Sequence, residues 1–203
     1  MRFLTLLLTA ITFATPALAE DNTFTFDKSH TRILFFINHM GFSETVGDFT
    51  MYDGSFVFDE KDPAKSSLEV TLKPEGIRTP SPELDKHLQN QDFFNSTKFP
   101  DITFKSKEIK VTGKNTGEAL GDLTMMGVTK PATLRITFNK ADYHMMTGDY
   151  VAGFSAEAVI KRSEFGMNYG IPMIGDDVRL LVHAEGINAS RKKPISPEQQ
   201  KKQ

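Results

Sequence analysis

The stretch at 132–139, Ala-Thr-Leu-Arg-Ile-Thr-Phe-Asn, decides how the rest of the chain is interpreted. Its apolar residues occupy every second position, and polar residues stand between them. A period of two is typical of a β-strand that buries one face and exposes the other to water. The stretch therefore predicts an amphipathic strand and provides a pattern that can be sought elsewhere in the chain.

The same alternation recurs along most of the sequence. Apolar residues recur at or near every second position at 31–39, 46–59, 68–72, 102–105, 152–160 and 179–185. Turn-forming sequences separate these runs, such as Lys-Asp-Pro at 61–63 and the stretch from Gly127 to Pro131. An all-β fold of antiparallel strands follows, either a closed barrel or a two-sheet sandwich. A barrel leaves no exposed sheet edge, but alternation alone does not separate the two architectures.

One segment departs from the strand pattern. Leu84 and Leu88 lie four positions apart, the spacing that places two residues on one side of a helix. Ser81 suits the N-cap of such a helix, and Pro82 suits its first turn. The sequence therefore predicts one short helix near residues 82–90.

The first residues have the three parts of a secretory signal peptide. Arg2 supplies a positive charge, residues 3–14 are apolar, and Ala17-Leu18-Ala19 is a small-x-small cleavage site. We expect a signal peptide at 1–19, cleavage after Ala19 and export to the periplasm. No later segment is long and apolar enough to cross a bilayer, so we expect a soluble mature protein.

Composition limits the chemistry that the exported chain can perform. The 24 basic and 26 acidic residues give a net charge of −2, which argues against a nucleic-acid partner. The chain has no cysteine, which excludes disulfides, thiol nucleophiles and a lipoprotein anchor. Residues 20–189 have the length of one domain. Residues 190–203 are polar and basic, and we expect a disordered tail there.

The sequence offers little support for catalysis or metal binding. None of the five histidines has the spacing of a metal site, and no Gly-x-Ser-x-Gly motif is found. We therefore predict no enzyme activity, no metal and no cofactor. An enzyme acting on a lipid inside a barrel is the least favoured alternative. It would require His39, on an apolar strand face, to meet Asp85 or Asp92, with His87 nearby.

The apolar residues are more informative than the titratable ones. The chain has 17 Phe, 9 Met and no Trp, and methionine adapts to irregular apolar shapes. The run at 152–160 carries three alanines at positions that alternate with polar residues. Small inward residues leave volume inside a barrel. Two interpretations remain from composition alone, a packed core and a cavity for an apolar ligand.

Several motifs, in this order and spacing, resemble the YceI-like family, exported lipocalin-like proteins associated with polyisoprenoid or other long-chain lipid binding. The resemblance runs from about Thr23 to Asn188. Met126 and Asn95 depart from the family pattern, which tends to have a basic residue and an aspartate there. The matching blocks include Ile33-x-Phe35-x-Ile37-x-His39-x-Gly41, Gly54-x-Phe56-x-Phe58, Asp92-Phe93-Phe94, Lys98-Phe99-Pro100, Gly127-Val128-Thr129-Lys130-Pro131 and Lys161-Arg162-Ser163-x-Phe165-Gly166.

The resemblance implies an extended antiparallel barrel of about eight strands, with a tunnel that holds a long apolar chain for transport, storage or sensing. The ligand would be a polyisoprenoid, an isoprenoid quinone or a fatty acid derivative. Candidates for a polar head group are His39 and Arg162. The other implied ligand-binding residues are Ile33, Phe35, Ile37, Phe49, Leu88, Phe93, Phe94, Phe104, Leu134, Ile136, Phe138, Phe154, Ala156 and Ile160.

Two further expectations concern partners. The protein would make transient contact with a membrane surface, and a barrel edge would support a homodimer. The main alternative function is an interaction module in a membrane redox or stress response, for which a bound lipid is incidental.

Overall fold

The computed structural model describes residues 21–194, and the predicted signal peptide and the last nine residues lie outside this range. Short 3-10 turns occur at Pro63–Lys65, Pro74–Gly76 and Arg162–Phe165. The helix and strands are β1 (Thr23–Phe26), β2 (Arg32–His39), β3 (Ser43–Phe49), β4 (Tyr52–Val57), β5 (Ser67–Leu72), β6 (Ile77–Arg78), α1 (Pro82–Gln89), β7 (Ile102–Val111), β8 (Thr116–Met125), β9 (Val128–Tyr143), β10 (Asp149–Lys161) and β11 (Ile174–Lys192).

The strands close into an eight-stranded antiparallel barrel. Strands β1 and β2 both pair with β11, while β1 pairs with β4 and β2 pairs with β3. They are therefore two halves of one interrupted strand, and the same holds for β3 with β4 and for β5 with β6. The remaining strands pair in sequence order from β7 to β11. This confirms the predicted barrel and rules out the sandwich.

The register of the strands defines the inner face. Ile136 pairs with Ala156, and Ala156 pairs in turn with Val182. Val182 pairs with Ile33, so one row of side chains crosses four strands on the same face. Ile33 is buried, which shows that this row points into the barrel. The regular alternation along β9 therefore shows which side chains of the barrel wall point inward.

The predicted helix is confirmed as α1. The Ser81 hydroxyl accepts a hydrogen bond from the Leu84 backbone N–H at 3.3 Å, and Pro82 occupies the first turn. Leu88 is buried against the barrel core. The Asp85 carboxylate accepts bonds from the Thr79 N–H at 2.7 Å and the Thr79 hydroxyl at 2.8 Å. Asp85 therefore fixes the approach to the helix.

The barrel extends further towards the C-terminus than predicted. Strand β11 continues to Lys192, which pairs with Asp149 and also forms an ion pair with it at 2.9 Å. Residues 190–192 therefore belong to the barrel and not to a tail. Among the described residues, no helix is long and apolar enough to span a membrane.

The interior side chains form two adjoining clusters, which share the partly buried residues Phe26 and Leu68. We call the first the aromatic end; it consists of Phe24, Phe56, Phe58, Tyr150 and Ala152, with Phe138, Phe154 and Tyr143 packed against them. The Phe24 and Phe56 rings stack with centroids 5.1 Å apart and planes 2° apart. We call the second the helix end; it includes Leu88, Phe93, Met125, Phe165 and Met167.

The aromatic end depends on a glycine in β11. A Cβ atom at Gly186 would lie 2.4 Å from ring carbons of Phe56 and 3.0 Å from Phe24 Cβ. We expect Gly186→Ala to lower the free energy of unfolding by about 1–3 kcal/mol, because the stacked rings must move. Urea denaturation would measure this loss.

Gly153 offers a matched control on β10. A Cβ there would meet nothing closer than 3.8 Å. Gly153→Ala should change stability by no more than about 0.5 kcal/mol. Equal effects of the two substitutions would contradict the proposed packing of the aromatic end.

Candidate ligand tunnel

Several apolar side chains on the inner face of the barrel are only partly enclosed by their neighbours. Leu134, Ile136, Ala156, Leu180 and Val182 all occupy inner-face positions by register. All five are nevertheless only half-buried. Phe24 and Ala152 of the aromatic end, by contrast, are 0% exposed. Space accessible to solvent-sized molecules therefore lies beside the central rows.

Small residues occupy several inner-face positions of the neighbouring strands. On β8, Gly117 faces Ile136, Ala119 faces Leu134 and Gly121 faces Ala132. On β10, the inner positions at 152, 156 and 158 are alanines. Larger side chains on one strand are thus opposed by positions with little or no side chain. The inner wall is apolar and uneven, which suits a flexible hydrocarbon better than a rigid polar ligand.

Most residues that the sequence predicted to line the tunnel do lie in the interior. Phe138 and Phe154 belong to the aromatic end. Ala156 lies on the central row, and Ile37 is half-buried beside Val178 in the register. The others lie in or against the helix-end cluster: Ile33, Phe35, Phe49, Leu88, Phe93, Phe94, Phe104, Leu134, Ile136 and Ile160.

His39, a candidate for a polar head group, is not enclosed by the barrel. His39 is exposed at the end of β2, where it pairs with Ile174 and Ser43. Between Ile174 and Val178 the partner strand has a bulge, so four residues of β11 span the distance that two residues of β2 cover. His39 is exposed because it lies at the strand end, since β2 keeps an unbroken register with β3 up to the pair of His39 with Ser43.

Arg162 is buried, but its hydrogen bonds serve the protein itself. Nε donates to the Gly175 carbonyl at 2.7 Å, and the two terminal nitrogens donate to the carbonyls of Met167 and Ile174 at 3.1 Å. Burial lowers the pKa of the guanidinium, and nearby Asp176 opposes that shift. The prediction of a head-group ligand is thus replaced by a structural role, since each nitrogen already holds the 167–175 loop.

Comparison with known proteins assigns this barrel to a family. A family model described as the YceI-like domain matches residues 24–186. The chain belongs to the YceI-like family. A UPF0312 protein of Pseudomonas aeruginosa (strain LESB58) is 37% identical over 179 residues, which cover 88% of this chain and 92% of that one. Protein YceI of Shigella flexneri is 37% identical over 172 residues, covering 84% and 88%.

Solved structures agree with the fold. The Campylobacter jejuni YCEI protein superposes with a TM-score of 0.66 at 29% identity, covering 74% of this chain and 89% of that one. Burkholderia cenocepacia BcnA gives a TM-score of 0.72 at 21% identity, covering 79% and 98%. A polyisoprenoid binding domain from Saccharophagus degradans gives 0.59 at 10% identity, covering 81% and 97%. The last two likenesses concern the fold alone.

The pairing required by the enzyme alternative is not formed in this YceI-like barrel. Within residues 21–194, the His39 side chain makes no hydrogen bond to Asp85 or Asp92. Asp92 instead contacts His87, with Oδ2 3.0 Å from Nε2. The His87 ring stands edge-on to Phe93 at 4.9 Å, so it is part of the packing at the helix end.

Two hollows also open on the barrel wall. One of about 270 Å³ is lined by residues that include Asp53 and Glu69, and one of about 390 Å³ by residues that include Arg135 and Glu157. Charged and hydroxyl-bearing side chains dominate both linings. The second hollow also touches Ile136 and Ala156 of the central row, so it opens beside the interior of the barrel.

Sequence reasoning missed part of the interior. The aromatic end includes Phe24, Phe56 and Tyr150, none of which was predicted to line the tunnel. Strand β1 is only four residues long, too short for its alternation to stand out. The Phe-x-Phe spacing at 24–26 and 56–58 was the available signal, because it repeats on two strands that turn out to be paired.

A charged cluster joins the β1–β2 junction to β11. His30 Nδ1 lies 2.7 Å from Asp27 Oδ2 and 4.0 Å from Glu185 Oε2. Burial alone would raise the pKa of Asp27, but hydrogen bonds from His30 and Ser29 outweigh it and lower the pKa to about 2. The same hydrogen bond to Asp27 raises the pKa of His30.

These shifts predict a pH window of stabilisation. The lowered pKa of Asp27 contributes stability above its unfolded value near 3.9, which is lost as the pH falls towards 2. The raised pKa of His30 contributes stability below about 6.5, which is lost as the pH rises through the folded value. The stability difference between wild type and Asp27→Asn should therefore be largest between about pH 4 and 6.5.

NMR titration of the His30 ring checks the cause. Its pKa should fall towards the ordinary value in Asp27→Asn. Asp53→Asn removes an exposed carboxylate paired with Lys28 and should leave the His30 titration unchanged. An unaltered His30 pKa in Asp27→Asn would show that the pair is not coupled.

Proposed function

We propose that this protein holds a long apolar molecule lengthwise inside the barrel. A polyisoprenoid, an isoprenoid quinone and a fatty acid derivative all fit this description. The observation that carries the proposal is the half-buried, apolar central wall, closed by packed rings at the aromatic end. The Saccharophagus degradans domain, which shares the fold and is described as polyisoprenoid-binding, supports the choice of ligand class.

Energetics favour a carrier over an irreversible trap. Moving hydrocarbon out of water contributes about 0.8 kcal/mol per methylene, so a chain of about twenty carbons gains roughly 15 kcal/mol before ordering costs. Taken from a membrane, the same chain gains little, because the bilayer interior is as apolar as the tunnel. Loading and release at a membrane are then close to balanced. Chain length and branching should decide selectivity.

The compartment is part of the proposal. The signal-peptide pattern of residues 1–19 supports export to the periplasm, a water-filled space between two membranes. A lipid carrier there would transport, store or present a molecule that does not cross water unaided.

Two apolar loops at the helix end provide a route for exchange with a bilayer. Phe42 is 85% exposed and Met173 is 62% exposed. The Met40 N–H donates to the Met173 carbonyl at 2.8 Å, so the β2–β3 turn and the loop before β11 form one unit. We call this unit the rim loops. Tyr169 of the same loop stacks edge-on with buried Phe93 at 5.3 Å, which connects the unit to the tunnel.

The absence of charge on the rim loops suits contact with a bilayer. Residues 40–43 and 167–175 carry no charged side chain. Of the nearest charges, Arg179 pairs with Glu44 at 3.0 Å and Lys161 with Asp177 at 2.7 Å, while Asp176 accepts hydrogen bonds from Ser163. A convex, uncharged, apolar tip of this kind suits insertion among lipid acyl chains.

Filling the tunnel tests the proposed function. Ala156→Phe should lower affinity for geranylgeraniol at least tenfold, because the new ring occupies the central row. Thr137→Phe places the same ring on the exposed outer face of β9 and should bind like wild type. Fluorescence competition measures affinity, and thermal unfolding checks that both variants fold. Wild type that recovers no lipid from a membrane extract, by native mass spectrometry, would refute the proposal.

Exchange kinetics test the rim loops separately. The double variant Phe42→Ser and Met173→Ser should extract geranylgeraniol from vesicles about tenfold more slowly, with unchanged affinity for the detergent-solubilised alcohol. Val111→Ser is the matched control, because Val111 is 50% exposed on β7, away from these loops. An equal rate for double variant and wild type would exclude membrane docking through the rim loops.

A further inference from the structure

One charged residue lies on the inner wall of the barrel. Lys130 of β9 pairs with Leu123, Leu123 with Phe104, and Phe104 with Val70. This row crosses four strands, and Leu123 and Phe104 are buried in the core. The neighbours of Lys130 in sequence, Thr129 and Pro131, are exposed on the opposite face. Lys130 therefore occupies an inner-face position, where it is half-buried.

Within the described part of the chain, the Lys130 ammonium has no hydrogen-bond or ion-pair partner. Lysines on the outer wall differ, as Lys107 is paired with Asp122 and Lys105 with Glu69. Among the described inner-face positions of β8 and β9, Lys130 alone carries a charge. A half-buried charge without a counter-charge costs free energy, and an anion beside it would recover that cost.

The hydrogen-bond ladder between β9 and β10 does not reach this residue. The ladder between β9 and β10 ends at the pair of Arg135 with Glu157. Residues 128–134 of β9 therefore have no partner on β10, although β10 continues to Lys161. Pro131, which lacks a backbone N–H, falls within this unpaired edge, where a missing donor costs least. Lys130 thus stands where β9 and β10 separate and where the Arg162–Phe165 turn contacts β9, and its partial exposure lets a polar group beside it remain hydrated.

We propose that Lys130 binds the anionic head group, a phosphate or a carboxylate, of an amphiphilic lipid whose tail extends towards the aromatic end. This inference rests on the proposed lipid-binding function. From Lys130 to Phe138 the strand covers about 26 Å at roughly 3.3 Å per residue, all along an apolar inner face. A lysine ammonium is a point charge that suits either anion.

Arg162, the other cation of this end, does not compete for the role. Its nitrogens are held by the carbonyls of Met167, Ile174 and Gly175. Lys130 therefore supplies the one charge at the tunnel that the described residues leave available to a ligand. The tunnel acquires a direction, with an anion at one end and hydrocarbon at the other.

Ligands matched in chain and differing in head group test the inference. Wild type should bind geranylgeranyl monophosphate about tenfold more tightly than geranylgeraniol, and palmitate more tightly than hexadecanol. Added salt should reduce both preferences. Lys130→Met should lose the preferences while it still binds the two alcohols, which also shows that it is folded. Lys130→Arg should keep them.

Lys114→Met is the control for net charge, since Lys114 is exposed in the β7–β8 turn and should leave the preferences unchanged. Two outcomes would overturn this inference and leave the proposed function standing. One is equal binding of anionic and neutral ligands by wild type, and the other is a preference for anionic ligands that survives Lys130→Met. If wild type binds none of the four ligands, the proposed function itself is wrong. Inorganic phosphate is a separate probe; if it binds as tightly as the lipid phosphate, the site belongs to a free anion and the inference is wrong.

Discussion

The closing ladder along β11 is the interaction on which the rest of the structure depends. This 19-residue strand pairs with β10 on one edge and with β2 and then β1 on the other. At the junction, the Asp27 N–H donates to the Glu185 carbonyl at 2.8 Å, and the Glu185 N–H donates to the Thr31 hydroxyl at 3.2 Å. Without these contacts the sheet would have two open edges and no interior.

Backbone closure changes what the interior side chains must do. In a sandwich, side chains from two sheets hold the layers together, so a gap between them costs stability directly. In this barrel the hydrogen-bond ladder holds the wall in addition to the packed clusters inside it. The inner face can then carry small residues such as Gly117, Ala119 and Ala156. The same ladder explains how a chain without cysteine keeps its wall closed.

How much the sequence predicts depends on the range of the contacts involved. The β9 wall and α1 follow from local signals, namely a period of two and the Ser81 cap. The exposure of His39 does not, because it depends on where the ladder with β11 ends, and the partner Ile174 lies 135 residues away in sequence. The role of Arg162 depends on carbonyl groups, which no side-chain pattern reveals. Lys130 lies within a segment that its sequence marks as a turn, so its place on the inner face emerges only from the register.

Two cations at the helix end show how the same environment supports opposite roles. Arg162 is 1% exposed and donates hydrogen bonds to backbone carbonyls, and these bonds hold the 167–175 loop in its conformation. Lys130 lies where β9 and β10 separate, and the protein supplies it with no acceptor among residues 21–194. A fully enclosed lysine would need a partner from the chain itself, while a fully exposed one would be indifferent to any ligand. Half-burial is the condition under which an incoming anion gains most, because water is partly excluded and no internal carboxylate competes.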